Sequence, residues 1–298
     1  MTTTHTNTDA QQDYESYYVP AQSIWPIVGA VALFFIAMGA GSTVAGLFGG
    51  NGPWMLLAGI GILLFMLTGW FRDVIRESMG GMYSSQMDRS FRQGMSWFIF
   101  SEVMFFAAFF GALFYARMIA VPWLGGDSNN AMTAEVLWPD FIPTWPLEKT
   151  PGGVETTAMG AWGLPLINTI ILLTSSITLH IAHVAMEEGN RQKLKVFLGA
   201  TVLLGWIFLG LQVEEYVHAY QELNLRLDSG IYGNTFFLLT GFHGMHVFLG
   251  SIILFIILLR VLRGHMTPDS HFAFQAGAWY WHFVDVVWLC LFVFVYIL

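Results

Sequence analysis

Seven stretches of the chain, at about 24–48, 53–71, 91–121, 163–187, 193–220, 233–262 and 274–298, are almost free of charge and rich in Leu, Ile, Val, Phe and Trp. A helix rising 1.5 Å per residue crosses a hydrocarbon core of about 30 Å in about 20 residues. Each run is long enough to do so, and strands rarely exceed ten residues. The expected fold is therefore all-α: a polytopic membrane protein with seven transmembrane helices. Composition agrees. Charged residues make up 11% of the chain and the mean hydropathy is +0.59, whereas a soluble domain carries about 25% charged residues. A water-soluble enzyme and a disordered chain are both excluded.

The runs divide the chain. Residues 1–23 are polar, without Lys or Arg, and read as a retained tail rather than a signal or transit peptide. Residues 24–71 hold helices one and two, separated by the turn signal GGNGP at 49–53. Residues 72–90 are expected to form an inner loop, and 91–298 to hold helices three to seven, with one long outer loop at about 122–162. Orientation follows from the bases. Arg72, Arg76, Arg89, Arg92, Arg191, Lys193, Lys195, Arg260 and Arg263 fall on one side, and Arg117, Lys149 and Arg226 on the other. The positive-inside rule then places the N-terminus inside and the C-terminus outside.

A net charge of −8 disfavours nucleic acid as a partner. The single cysteine, Cys290, lies within an apolar run and reads as a small buried hydrophobe, so a disulfide or a copper pair bridged by two thiolates cannot come from this chain alone.

Ionisable residues inside the spans are costly and need a partner or a task. Glu102 in span three, His243 and His246 in span six, and His282 and Asp285 in span seven all fall near the membrane midplane, Glu102 about 16 Å from the inner end of its helix. The pairs His243/His246 and His282/Asp285 are each three positions apart and share a face. One polar layer is the economical arrangement, serving as a proton relay, a metal site or a hydrogen-bond network that locks helices together. At the outer end of span five, Glu214 and His218 are four apart and form an expected interface pair, with Glu215 beside them. His180 and His183 in span four receive no role, and no metal is expected in this chain. Arg72, Arg76, Arg260 and Arg263 suit an anionic headgroup at the inner face.

Read as strings, these residues become specific. FRQGMSWFIFSEVMFF (91–106), VEEYVHAY (213–220), SGIYGNTFFLLTGFHGMHVFLG (229–250) and FAFQAGAWYWHFVDVVWLCLFVFVYIL (272–298), with WFRDVIRES (70–78) and PLINT (165–169), resemble subunit III of the haem-copper cytochrome c oxidases. YYVPAQSIWP (17–26) is similar to the start of the bacterial, aa3-type members. The resemblance implies a non-catalytic subunit of a proton-pumping oxidoreductase, with no haem or copper of its own, attached to subunits I and II of a complex that takes electrons from cytochrome c. It implies a two-helix and a five-helix bundle with a cleft for phospholipid, lipid-binding roles for Arg72, Glu102 and Arg260, support of proton uptake by subunit I, and a bacterial plasma membrane rather than a mitochondrial one. Two departures stand out. Trp70 is followed by Phe71 where the family commonly has a second tryptophan, and span four lacks the adjacent histidines usual there. Subunit III of a quinol oxidase, usually of five spans, is the alternative within the family. An independent transporter or membrane metalloenzyme built on Glu102, His243, His246 and Asp285 is the alternative outside it.

Overall fold

Proline marks the start of three spanning helices. Pro26, Pro53 and Pro165 each occupy a first turn, where the missing N–H costs no intrahelical bond. The computed structural model describes residues 19, 22–47, 50–268 and 271–298, so the polar tail expected at 1–23 lies almost entirely outside the described residues. Seven helices among them are long and apolar enough to cross a membrane: α1 (Trp25–Ala45), α2 (Gly52–Met79), α3 (Ser85–Leu124), α4 (Leu164–Glu187), α5 (Arg191–Gln221), α6 (Ile231–Leu262) and α7 (Phe272–Ile297).

The connection expected as a loop over 72–90 is mostly helix. α2 continues to Met79, α3 begins at Ser85, and a turn through Gly81 at φ 69° joins them. The charges of RDVIRES suggested the loop, but long basic side chains can reach a headgroup layer while their backbone stays helical. α3 changes pitch near its other end. Ala116–Ala120 widens to a π-turn just ahead of Pro122, whose missing N–H leaves no ordinary helical bond to Met118.

The chain forms two units, one up to Phe91 and one from Arg92 to Leu298. In the first, α1 and α2 pack along a seam of small residues. A Cβ on Gly39 would lie 2.3 Å from the Leu56 nitrogen, and one on Gly59 2.6 Å from the Ile36 nitrogen. Close backbone approach of this kind is how membrane helices gain dispersion contact without a hydrophobic driving force. Trp25 closes one end of the hairpin by donating from Nε1 to Asp73 Oδ2 at 2.8 Å.

In the second unit, α3 to α7 are arranged with apolar side chains such as Ile170, Ile177, Leu203 and Val213 outward, while Asn168, Ser175, Thr201, Thr240, His243 and Asp285 are buried. An apolar outer face, with hydrogen-bonding side chains kept inside an otherwise apolar core, suits a hydrocarbon solvent. Trp281 of α7 is the central wedge, 0% exposed. Its ring fills the space left by the absent Cβ atoms of Gly205 on α5, 2.6 Å from the ring, and Gly250 on α6, 3.0 Å away. Its Nε1 donates to Ser175 Oγ of α4 at 2.9 Å. One residue thus keys four helices. About two helical turns on, Trp288 Nε1 donates to Thr169 Oγ1 at 2.9 Å.

The long loop at 122–162 is an ordered cover on this unit. It contains a short helix (Ala131–Leu137), and it buries Leu147, Met159 and Ala161. Thr157 N donates to Leu223 O at 2.9 Å and Asn224 Nδ2 to Glu155 O at 2.8 Å, which ties the loop to the α5–α6 connection.

Candidate functional site

α3 and α6 bring the intramembrane acid and one histidine of the span-six pair together. His246 Nε2 lies 2.8 Å from Glu102 Oε2, with the Glu102 side chain 22% and the imidazole 6% exposed. The second ring nitrogen, Nδ1, is 2.6 Å from Phe242 O. A carbonyl only accepts, so Nδ1 carries a proton. The bond at Nε2 then needs a single proton: the carboxyl donates it to a neutral imidazole, or an imidazolium donates it to a carboxylate. Both forms are neutral as a pair, so an acid and a base can share an apolar interior without a net charge. Phe105, Phe106, Phe283 and Tyr280 surround the imidazole, the Tyr280 ring stacking at 6.3 Å and 19°.

The single layer expected from the sequence resolves into separate groups. His243 is 0% exposed, and its Nε2 donates to the backbone oxygen of Val284 at 3.2 Å rather than to a carboxylate. It packs against Trp288 and Phe208, and its Nδ1 has no hydrogen-bond partner among the described residues. His282 and Asp285 form a third group on α7, Nδ1 to Oδ2 at 3.6 Å, joined by Ser176 of α4, whose Oγ is 2.7 Å from His282 Nδ1. Equal depth did not make one network, because His243 and His246 turn toward different helices.

At the far end of α5 the expected Glu214–His218 pair is not formed. His218 Nδ1 instead meets Glu222 Oε2 at 3.2 Å. Both acids stand four residues from His218, and Glu222 sits at the C-cap of α5. Glu215, next to Glu214, is 0% exposed and accepts from Tyr296 Oη at 2.6 Å.

Of the basic residues, Arg72 is exposed on α2. Arg260 is half-buried near the end of α6, and its Nε is buried with no partner among the described residues. Arg191 was not singled out by the sequence, yet it donates to Val261 O at 2.9 Å and Met266 O at 3.3 Å, satisfying carbonyls at the end of α6.

Comparison with known proteins gives the family of the chain. A family model described as cytochrome c oxidase subunit III covers residues 15–298. Cytochrome c oxidase subunit 3 of Latimeria chalumnae is 40% identical over 282 residues, 94% of this chain and 96% of the relative. The proteins of the same name from Squalus acanthias and Oryctolagus cuniculus are 39% and 38% identical, with the same coverage. A family model over residues 15–298 and 40% identity to a relative over 94% of this chain show that the chain belongs to the cytochrome c oxidase subunit III family.

Proposed function

We propose that the chain is the accessory, non-redox subunit of a cytochrome c oxidase, packed with subunits I and II. In this reading the complex oxidises cytochrome c and pumps protons, with haem and copper in its other subunits. The observation that carries the proposal is the likeness to proteins named cytochrome c oxidase subunit 3 over 94% of this chain. Seven candidate spans weigh against the five usual for the quinol-oxidase counterpart. A single cysteine leaves this chain unable to hold a thiolate-bridged copper pair. Its contribution is then packing, bound lipid and support of proton uptake. Oxidase depleted of this chain should start at a near-normal rate and lose activity over repeated turnovers, followed as oxygen consumption. A depleted enzyme as durable as the whole would overturn the supporting role.

Arg72, Glu102 and Arg260 are proposed to bind phospholipid. Support comes from Arg260, whose partly buried guanidinium has an Nε without an acceptor among the described residues. A phosphate headgroup supplies one. Arg260→Ala should lower the anionic phospholipid that co-purifies by about one equivalent, measured by mass spectrometry of extracted lipid. Unchanged lipid content would count against the assignment.

The proposed orientation has the N-terminus inside, following the nine bases assigned to that face. The proposed location is a bacterial plasma membrane, supported by the resemblance of YYVPAQSIWP to the start of bacterial members.

A further inference from the structure

We propose that His183, Glu187 and His271 form a binding site for a divalent transition-metal ion of the zinc class, joining the end of α4 to the start of α7. His183 and Glu187 stand one turn apart on the last turns of α4, and His271 immediately precedes α7. One candidate ligand atom from each lies within 4.8 Å of the other two. His183 Nε2 and Glu187 Oε1 are 3.6 Å apart. A tetrahedral zinc with bonds of about 2.0–2.2 Å spaces its ligand atoms about 3.3–3.6 Å apart, so this pair already has the required separation. His271 closes the remainder by side-chain rotation.

Two observations go beyond proximity. His183 Nε2 and His271 Nδ1 are both buried and both lack a hydrogen-bond partner among the described residues. Buried nitrogens of this kind are normally satisfied, and here they belong to residues at the end of α4 and at the N-cap of α7 that share one carboxylate within 4.8 Å. A helical ion pair between His183 and Glu187 would account for two of the three groups and leave His271 unexplained. The surroundings also suit a metal. The ring of Phe274 lies 5.5 Å from that of His183, forming an apolar wall. Glu187 is 58% exposed, which leaves an entry path and a fourth position for water. Two imidazoles and one carboxylate suit zinc, whereas magnesium and calcium take oxygen ligands.

Gln275 supplies the outer support. Its amide nitrogen is 3.0 Å from His271 Nε2, which leaves Nδ1 to face the metal. Metal at Nδ1 places the ring proton on Nε2, and Gln275 accepts it by turning its amide oxygen inward, exchanging the bond that oxygen now accepts from Arg92. The sequence alone drew attention to His180 and His183 as neighbours. The structure instead joins His183 to a residue 88 positions away, outside the apolar run of span seven.

The test uses the full chain purified in detergent and stripped with a chelator, so it does not depend on the oxidase reading. Equilibrium dialysis against zinc chloride should give one tight equivalent. His183→Ala, Glu187→Ala and His271→Ala should each weaken it at least tenfold, and His180→Ala should leave it intact. X-ray absorption at the zinc edge should show two imidazole ligands, and cobalt(II) in the same site should give the intense visible bands of a tetrahedral ion. If an alanine variant fails to fold, His271→Gln, which keeps the side chain polar and similar in length, replaces it. Zinc binding that is absent from the parent chain, or unaffected by every variant, would overturn the proposal.

Discussion

Trp281→Ala is expected to cost the five-helix unit about 3 kcal/mol or more. In a bilayer this does not come from transfer out of water, since lipid tails are as apolar as the protein interior. It comes from lost contact and an unfilled cavity. The indole is 0% exposed and sits against positions where Gly205 and Gly250 lack side chains, so the neighbouring backbones have no atoms with which to fill the gap. Ser175 Oγ also loses the indole N–H it accepts at 2.9 Å. Trp281→Phe should recover much of the packing and lose the hydrogen bond, at a cost of roughly 1 kcal/mol for that bond. The check is helical content followed through a denaturing-detergent titration, with parent and variants in the same mixed micelles. A Trp281→Ala midpoint equal to that of the parent would contradict the wedge.

The second large effect is an asymmetry. His246→Leu leaves Glu102 in an apolar interior without its base, at a cost of roughly 2–3 kcal/mol. Glu102→Gln should cost within about 1 kcal/mol, because the amide N–H can donate to His246 Nε2 in place of the carboxyl proton. Glu102→Leu combined with His246→Leu should lie closer to the parent than His246→Leu alone, since no polar group is then stranded. The same detergent titration orders the three variants. A hydrophobic carbodiimide, which adds to a protonated carboxyl, should label Glu102 in the parent chain and fail in Glu102→Gln, while the initial rate of oxygen reduction in the assembled complex stays largely intact. Equal costs for His246→Leu and Glu102→Gln would mean that the pair does not share its proton as the hydrogen bonds imply.

The spans and the common depth of Glu102, His243, His246, His282 and Asp285 could be read from the chain because both rest on one-dimensional properties. Run length sets a helix, and 1.5 Å per residue sets the depth of each polar group. What depth leaves out is azimuth. His243 and His246 are three apart and nearly level, yet a rotation of roughly 60° between them sends one to Val284 and the other to Glu102. The same limit hid Glu215, whose side chain is sealed by Tyr296 while Glu214 beside it is exposed. RDVIRES misled for a different reason: charge marks a solvent level, and it does not mark where a helix stops. His271 escaped notice because it lies just outside an apolar window, where the search for intramembrane groups ends.

The proton held between Glu102 and His246 also has a bearing on membrane voltage. A full elementary charge crossing a membrane held at 100 mV exchanges about 2.3 kcal/mol with the field. Transfer within the pair separates charge over no more than the 2.8 Å between the two heavy atoms. Against a core of about 30 Å that is at most about 0.2 kcal/mol per 100 mV, below thermal energy. The pair can therefore hold its position in the bundle while the potential across it rises and falls with respiration, and the field has almost no lever on it.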